Sequence, residues 1–586
     1  MFRLRLRTLS LHISRLSFSK PRCHRGMYGR FRTSLYGVTG TTIAVILPSI
    51  IWLDTENQGP IPERTTNKSK ENDEPSFSSL LRSYFVYTLC SITPLVDAGP
   101  QIISTLFAIP ILKQVSELVI RESFFKQFVG GETLEETSPL IRNLRRRSIG
   151  CLLAYSVEYD ESVEPIMNSE VQTVTRVNRH NIDEMAHSIR VAGDLENRSD
   201  GYPGGKTWVA LKLSALLRDP QCMERFSIYL NSSRSPKTLS VPYPHTNEPG
   251  DLAIFTNPKF APPPDSIMNL DDVSAIRSLY DELRRLCIIA REKGVALVFD
   301  AEHTWYTPAI DTFTLALSRE FNHAQEPKPG AFAPQPLIYA TYQSYLRRGT
   351  RHLAAHLEDA KQKGYVLGVK LVRGAYQSLE HDVYQLGKRG EERIIQERGK
   401  GNGARGATLA HAQAVGGNEA PVWTRKEDTD KTYNECIELL LSSLASDRLR
   451  NGTPLVGVIF ATHNRQSCDL VLNSLLAYKL ATRDMDESTG PILRVPKMVS
   501  DRITFGQLLG MRDDLTNYIA ANVIASSPMV LKYVPYGPLE NVIPYLSRRI
   551  VENKSVLGAS GEAGASGESR RAALALKQKL MEILRL

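Results

Sequence analysis

Segment 533–553 gathers residue types suited to holding a small acid: Tyr533, a Pro/Gly turn, then Tyr545, the adjacent arginines Arg548 and Arg549, and Glu552. The pattern predicts a strand ending at Tyr533 and a following helix. On that helix Tyr545 lies one turn before the arginines and Glu552 four residues after Arg548. Guanidinium groups stay charged and present forked donors that match a carboxylate. Two of them beside aromatic rings form a clamp for a small carboxylate, whereas an isolated Arg-Arg pair more often marks a solvated basic turn. Other candidates lie far away in sequence. Lys212 sits in the apolar run Trp208–Leu213, where an unpaired ammonium is costly, so it is either paired or aimed into a site. Asp300 closes the run Val295–Phe299 as a helix cap or a site residue, and His463, in Ala461-Thr-His-Asn464, is a loop histidine or a ligand-facing one.

These side chains need a scaffold. Short apolar runs (208–213, 295–299, 337–341, 366–372, 455–460 and 530–533) alternate with charged helical stretches at 272–292, 345–363, 430–445 and 467–480. Repeated β-then-α order with continuous apolar strands predicts an α/β fold with a parallel sheet covered by helices. Lys212, Asp300, Lys370, Arg373, His463 and Tyr533 follow or end several different strands, which is the habit of a (β/α)8 barrel. An open sheet would collect its site at one switch point with a Gly-rich loop, and no GxGxxG follows a strand here. Ahead of the barrel, residues 78–150 repeat apolar positions at helical spacing and predict a helical arm. The barrel is expected over 151–553, with a long loop at 232–266 and an insertion at about 399–420. A flexible spacer and an amphipathic helix are expected over 554–586.

The 586-residue chain carries a net charge of +9, but residues 1–53 hold nine Arg or Lys and no acid, which accounts for the whole excess. The body is therefore neutral and offers no nucleic-acid footprint. The leader itself is Arg-rich, acid-free and Ser-containing, the composition of a mitochondrial transit peptide, and 54–77 reads as a polar linker. The apolar run 40–53 is too short to span a bilayer and is broken by Pro48. The seven cysteines are scattered without a CxxC pair, so neither a zinc site nor a disulfide framework is legible, and they suit a reducing compartment.

Taken together, the motifs resemble proline dehydrogenase, the flavoenzyme family of proline breakdown, in its mitochondrial monofunctional form. They are Leu211-Lys-Leu-Ser-Ala215, Phe299-Asp-Ala-Glu302, Thr341–Leu346, Val369–Tyr376, Trp423-Thr-Arg-Lys426, Ala461–Asn464, Gln507–Met511 and Tyr533…Tyr545…Arg548-Arg549…Glu552. The resemblance implies a distorted (β/α)8 barrel that holds FAD at the strand C-termini. It places Arg548 and Arg549 on the proline carboxylate with Lys212 as a third positive charge, and Tyr545 on the substrate ring. Asp300 and Tyr533 become a hydrogen-bonded pair shaping the pocket, with Lys212 in the same catalytic group. Lys370, Arg373, Gly374, Gln343, Thr424, Lys426, His463 and Glu552 become the FAD shell. Ala340 stands where some members carry an amide, and Gln377 where some carry Trp.

The implied reaction converts L-proline to 1-pyrroline-5-carboxylate by hydride transfer to flavin. Electrons then pass to ubiquinone at the matrix face of the mitochondrial inner membrane, with 40–53 and 570–586 as candidate membrane contacts. Clamping the carboxylate makes most of the catalysis a matter of positioning, and nearby cations disfavour the substrate ammonium. Rival readings are hydroxyproline oxidation, a flavin-free Schiff-base lyase using Lys212 or Lys370, and an inactive membrane-bound scaffold.

Overall fold

A computed structural model describes residues 76–156, 171–197, 206–233, 250–323, 335–377, 380–381, 420–451, 455–486, 490–555 and 565–584. Eight parallel strands close on themselves in the order β1 (Ile149–Tyr155), β2 (Thr207–Leu211), β3 (Leu297–Phe299), β4 (Ile338–Gln343), β5 (Leu367–Val372), β6 (Val456–Ala461), β9 (Ile503–Leu508) and β11 (Val530–Tyr536). The closing pair is β1 with β11, in register from Ile149 with Val530 to Tyr155 with Tyr536. An antiparallel hairpin, β7 (Thr482–Asp486) and β8 (Gly490–Val495), is extended by β10 (Val523–Ala525) into a small second sheet.

Successive strand residues face opposite sides, and burial separates them into two cores. One alternate set, including Val209, Leu211, Leu297, Phe299, Val369, Val458, Phe460 and Phe505, packs with the surrounding helices. The other set, including Trp208, Ala210, Val298, Tyr339, Ile459, Leu531 and Tyr533, fills the lumen. Trp208 and Tyr339 stack inside with centroids 5.0 Å apart. Gly368 faces this filled layer, and a Cβ there would stand 2.1 Å from the Ile338 carbonyl oxygen. At the N-terminal end Lys206 donates to the carbonyls of Ser500 (2.7 Å) and Ile503 (3.0 Å), while burial draws its pKa down to about 7.

The covering helices are α5 (Val171–Asn197), α6 (Gln221–Ser232), α7 (Leu270–Lys293), α8 (Thr307–Phe321), α9 (Gly349–Lys363), α10 (Lys426–Asn451), α11 (Arg465–Ala477) and α12 (Asp513–Asn522). Their ends are written locally. Asn269 and Asp272 form a capping box at the start of α7, and Gly294, at φ 68°, ends it in the left-handed region.

The arm preceding the barrel is α1 (Phe77–Cys90), α2 (Thr93–Phe107), α3 (Pro110–Ile120), a π-helical turn Arg121–Phe125, and α4 (Leu134–Arg146). After β11, α13 (Leu539–Ser555) does not join the outer ring. Its Leu539, Val542, Tyr545 and Leu546 belong to the luminal core, together with Val86 and Tyr87 of α1 and with Phe125 and Phe128. The arm and α13 thus pack over one end of the lumen. The last helix, α14 (Ala565–Ile583), runs against α1.

The structure moves several expected boundaries. Phe77 opens α1 after the Ser76 cap instead of ending a linker. Ile149 and Gly150 are barrel residues, not arm. Lys212 stands just past β2, and β11 continues beyond Tyr533 to Tyr536, because its pairing with β1 extends that far. A helical turn, Ala253–Thr256, lies within the expected loop at 232–266. The leader at 1–53, including the 40–53 run, and most of the 54–77, 399–420 and 558–568 segments lie outside the described residues.

Candidate active site

Three strands deliver the central group. Asp300 follows β3 on the luminal side, Lys370 lies within β5 and Tyr533 within β11. The Lys370 ammonium donates to one Asp300 oxygen at 2.5 Å, and the Tyr533 hydroxyl donates to the other at 2.8 Å. The ammonium also lies 5.1 Å from the Tyr533 ring centroid. All three are buried, which this group tolerates because one cation matches one carboxylate. Burial first, and the Asp300 charge second, push the Tyr533 pKa well above its ordinary value, so the phenol stays protonated and donates.

Helix α13 supplies the second group. The Arg549 guanidinium carbon stands 4.8 Å from the Tyr545 ring centroid, and that of Arg548 stands 5.9 Å from it and 5.3 Å from the ring of Tyr376. Arg549 is only 3% exposed and donates to Glu552 at 2.6 Å. The sequence spacing puts Glu552 in reach of Arg548, and in the folded helix Glu552 also pairs with Arg549, three residues away. Tyr533 feels the charge of Arg548 and the phenol of Tyr545, which joins the two groups electrostatically. Lys212 is half-buried and acts on Glu302. Glu302 accepts from the Ser214 amide at 3.0 Å, and burial raises its pKa despite that bond and the nearby cation.

His463 follows β6. Burial, then Lys532, Arg549 and Arg512, pull its pKa down to about 3, so the imidazole is neutral. Its Nε2 accepts from the Leu508 amide at 3.4 Å, which leaves the proton on Nδ1. That buried Nδ1 has no hydrogen-bond partner among the described residues. Gln343 donates to the Tyr345 hydroxyl at 3.1 Å, while its buried Oε1 is likewise without a hydrogen-bond partner among them. Gly374, at φ 126°, follows β5, and a Cβ there would sit 2.6 Å from the Tyr345 ring.

Arg373 is committed to protein. It donates to Asp430 (2.6 Å), Thr462 (2.7 Å) and Ser467 (3.0 Å), tying the end of β5 to α10 and α11. Lys426 bonds the same Asp430. Burial alone would raise the Asp430 pKa, but bonds from Lys426 and Arg373 outweigh it and hold it low. Thr424 lies exposed just before α10. Arg373 and Lys426 are thus gathered around Asp430, apart from the luminal Asp300 group.

Tyr376 and Arg512 were not singled out by sequence. Tyr376 lies in the Val369–Tyr376 motif directly after a glycine break, which was its signal. Arg512 donates to the His463 carbonyl at 3.0 Å and to Asp514 at 3.0 Å from a left-handed backbone position. No local pattern marks it.

The buried donor of His463 and the buried acceptor of Gln343, both at the strand ends and without partners among the described residues, fit an extended polar group such as FAD. Among the described residues no His, Cys, Asp and Glu cluster could hold a metal ion. The described cysteines are buried free thiols.

The profile of the proline dehydrogenase family matches residues 153–396 and 407–561, which include every residue of this site. The chain belongs to the proline dehydrogenase family. It is 26% identical to proline dehydrogenase 1, mitochondrial, of Dictyostelium discoideum over 512 residues, covering 86% of this chain and 74% of that one. It is 27% identical to hydroxyproline dehydrogenase of Bos taurus over 513 residues, covering 86% and 91%. Among solved structures, proline utilization A of Bdellovibrio bacteriovorus superposes with a TM-score of 0.50 at 16% identity, covering 86% of this chain and 42% of that one. That likeness is one of fold.

Proposed function

We propose that this chain is a mitochondrial proline dehydrogenase. It oxidises L-proline to 1-pyrroline-5-carboxylate with FAD and passes the electrons to a membrane quinone, ubiquinone, at the matrix face of the inner membrane. The observation that carries the reading is the buried Arg549, oriented by Glu552 and stacked on Tyr545. A guanidinium held in this way loses little freedom on binding a carboxylate. Arg548 and Arg549 grip the substrate carboxylate, with Lys212 adding charge. The ring is fixed from its far side, and Tyr545 packs on it.

The same cations disfavour a second positive charge, so they lower the pKa of the substrate ammonium and favour the neutral amine that can be oxidised. Asp300 is tied to Lys370 and Tyr533, so it shapes the pocket wall without presenting a free base. FAD, when bound, supplies the hydride acceptor. Gln343, His463, Gly374 and Lys370 would hold it, with Arg373, Lys426, Thr424 and Glu552 in the same shell.

The test is the visible spectrum of the purified full chain before and after anaerobic addition of L-proline. Flavin absorbance that bleaches with proline is the expected result, and a colourless chain that stays colourless after incubation with FAD overturns the reading. A second reading, hydroxyproline oxidation, is favoured by the presence of hydroxyproline dehydrogenases among the relatives. The buried Tyr545 phenol stands against the additional ring hydroxyl, so proline is the preferred substrate. Equal kcat/KM for the two substrates defeats this preference.

A further inference from the structure

Apolar side chains are exposed unevenly over the described surface. The barrel contributes a few scattered ones, such as Ile267, Ile288 and Met485. The arm contributes a continuous series in Ile102, Ile109, Ile111, Leu112, Val115 and Leu118 of the α2–α3 elbow. Helix α3 has no buried residue at all, and its Ile111 is 74% exposed. Residues 93–120 contain three charges, Asp97, Lys113 and Glu117. An apolar surface of this extent marks a contact with something else.

Two observations identify the occupant as lipid. The series is aliphatic, without the Trp, Tyr and Arg anchors that carry protein–protein interfaces. Beside it, α14 packs along α1 and bonds it through Thr88 and Ser569 (2.8 Å). Helix α14 exposes Leu574, Leu580 and Ile583 together with the cations Arg570 and Lys577. Apolar residues with interleaved cations suit an anionic bilayer surface. At 11 residues α3 is about 16 Å long by its helical rise, too short to cross the hydrocarbon, and no helix among the described residues is long and apolar enough to span it.

We propose that the α2–α3 elbow, assisted by the cationic face of α14, is a lipid-docking surface that lies in one leaflet of an anionic bilayer. Helix α2 packs on α13, which carries Arg548 and Arg549, so docking sets the substrate site against the membrane. This consequence rests on the quinone-linked reading above, whereas the docking itself does not. It moves the main membrane contact from the 40–53 and 570–586 segments to the elbow. It also gives the C-terminal helix two roles, one face on α1 and one toward headgroups.

The experiment is flotation of the full chain with phosphatidylcholine vesicles, with and without cardiolipin, comparing wild type with Ile111→Glu/Val115→Glu and with Arg570→Glu/Lys577→Glu. All four positions are solvent-facing, so each variant should keep its proline-to-dye activity. Wild type is expected to float with cardiolipin vesicles. The elbow variant should lose at least about tenfold of that binding, and the α14 variant should lose the preference for cardiolipin. Elbow-variant binding equal to wild type, no wild-type binding, or a variant effect confined to self-association in ultracentrifugation each overturns the proposal. Failure of the dye assay in wild type would instead sink the catalytic reading and leave the flotation result standing.

Discussion

The Asp300 group permits a quantitative test. Asp300→Ala removes the carboxylate paired with Lys370 at 2.5 Å and bonded by Tyr533 at 2.8 Å, and leaves an ammonium in a buried lumen. Breaking one side of a buried ion pair costs about 3–5 kcal/mol. Lys370→Met should cost less, about 2–3 kcal/mol, because Asp300 retains the Tyr533 donor and can take up a proton. The double variant leaves no uncompensated charge, so its loss should fall short of the summed single losses by about 2 kcal/mol or more. Urea unfolding of FAD-saturated full chain, followed by circular dichroism, supplies the four corners of this cycle. Single losses that add to within about 0.5 kcal/mol would show that the two residues do not depend on each other, and would refute the paired-charge account of the lumen.

Further expectations follow from the same geometry. Arg549→Met should raise KM for proline and lower kcat/KM about 30- to 150-fold, the equivalent of about 2–3 kcal/mol of charge-assisted contact, while FAD stays bound. An unchanged KM removes Arg549 from the clamp. Gly374→Ala places a methyl 2.6 Å from the Tyr345 ring at φ 126° and should cost about 1–3 kcal/mol with a weaker FAD Kd, read by flavin fluorescence titration. An unaltered Kd and melting temperature would show that Tyr345 moves freely. His463 has a folded pKa of about 3, below its unfolded value near 6.5, so between these values the unfolded chain binds the extra proton and stability is lost as pH falls. Relative to His463→Gln, wild type should lose about 2 kcal/mol between pH 7 and pH 5. A pH-independent difference would mean that the folded imidazole takes up its proton just as the unfolded one does, and would refute its burial as a neutral group.

Much of the barrel was legible because its strands are continuous apolar runs and its helices carry their own caps, such as the Asn269–Asp272 box. Two barrel strands escaped that reading as strands. Ile149–Tyr155 straddles the change of texture at residue 151, and in Ile503–Leu508 the apolar positions are interrupted by Thr504, Gly506 and Gln507. The hairpin β7–β8 is too polar to announce itself by periodicity.

Within the site, the sequence by itself determined which side chains stand on neighbouring turns of one helix, so Tyr545, Arg548, Arg549 and Glu552 were readable as a unit. It also showed that reactive residues follow several strands. What it left open was which of the two strand faces becomes the lumen, because a period of two defines two faces without naming either. Only barrel closure settles that, by pairing β11 with β1 and turning Lys370 and Tyr533 onto Asp300, 70 and 233 residues away. The seating of the C-terminal helix on α1 was decided in the same way. Local conformation follows from neighbouring residues. Long-range partners follow from the shape that buries the most apolar surface while leaving each buried charge matched.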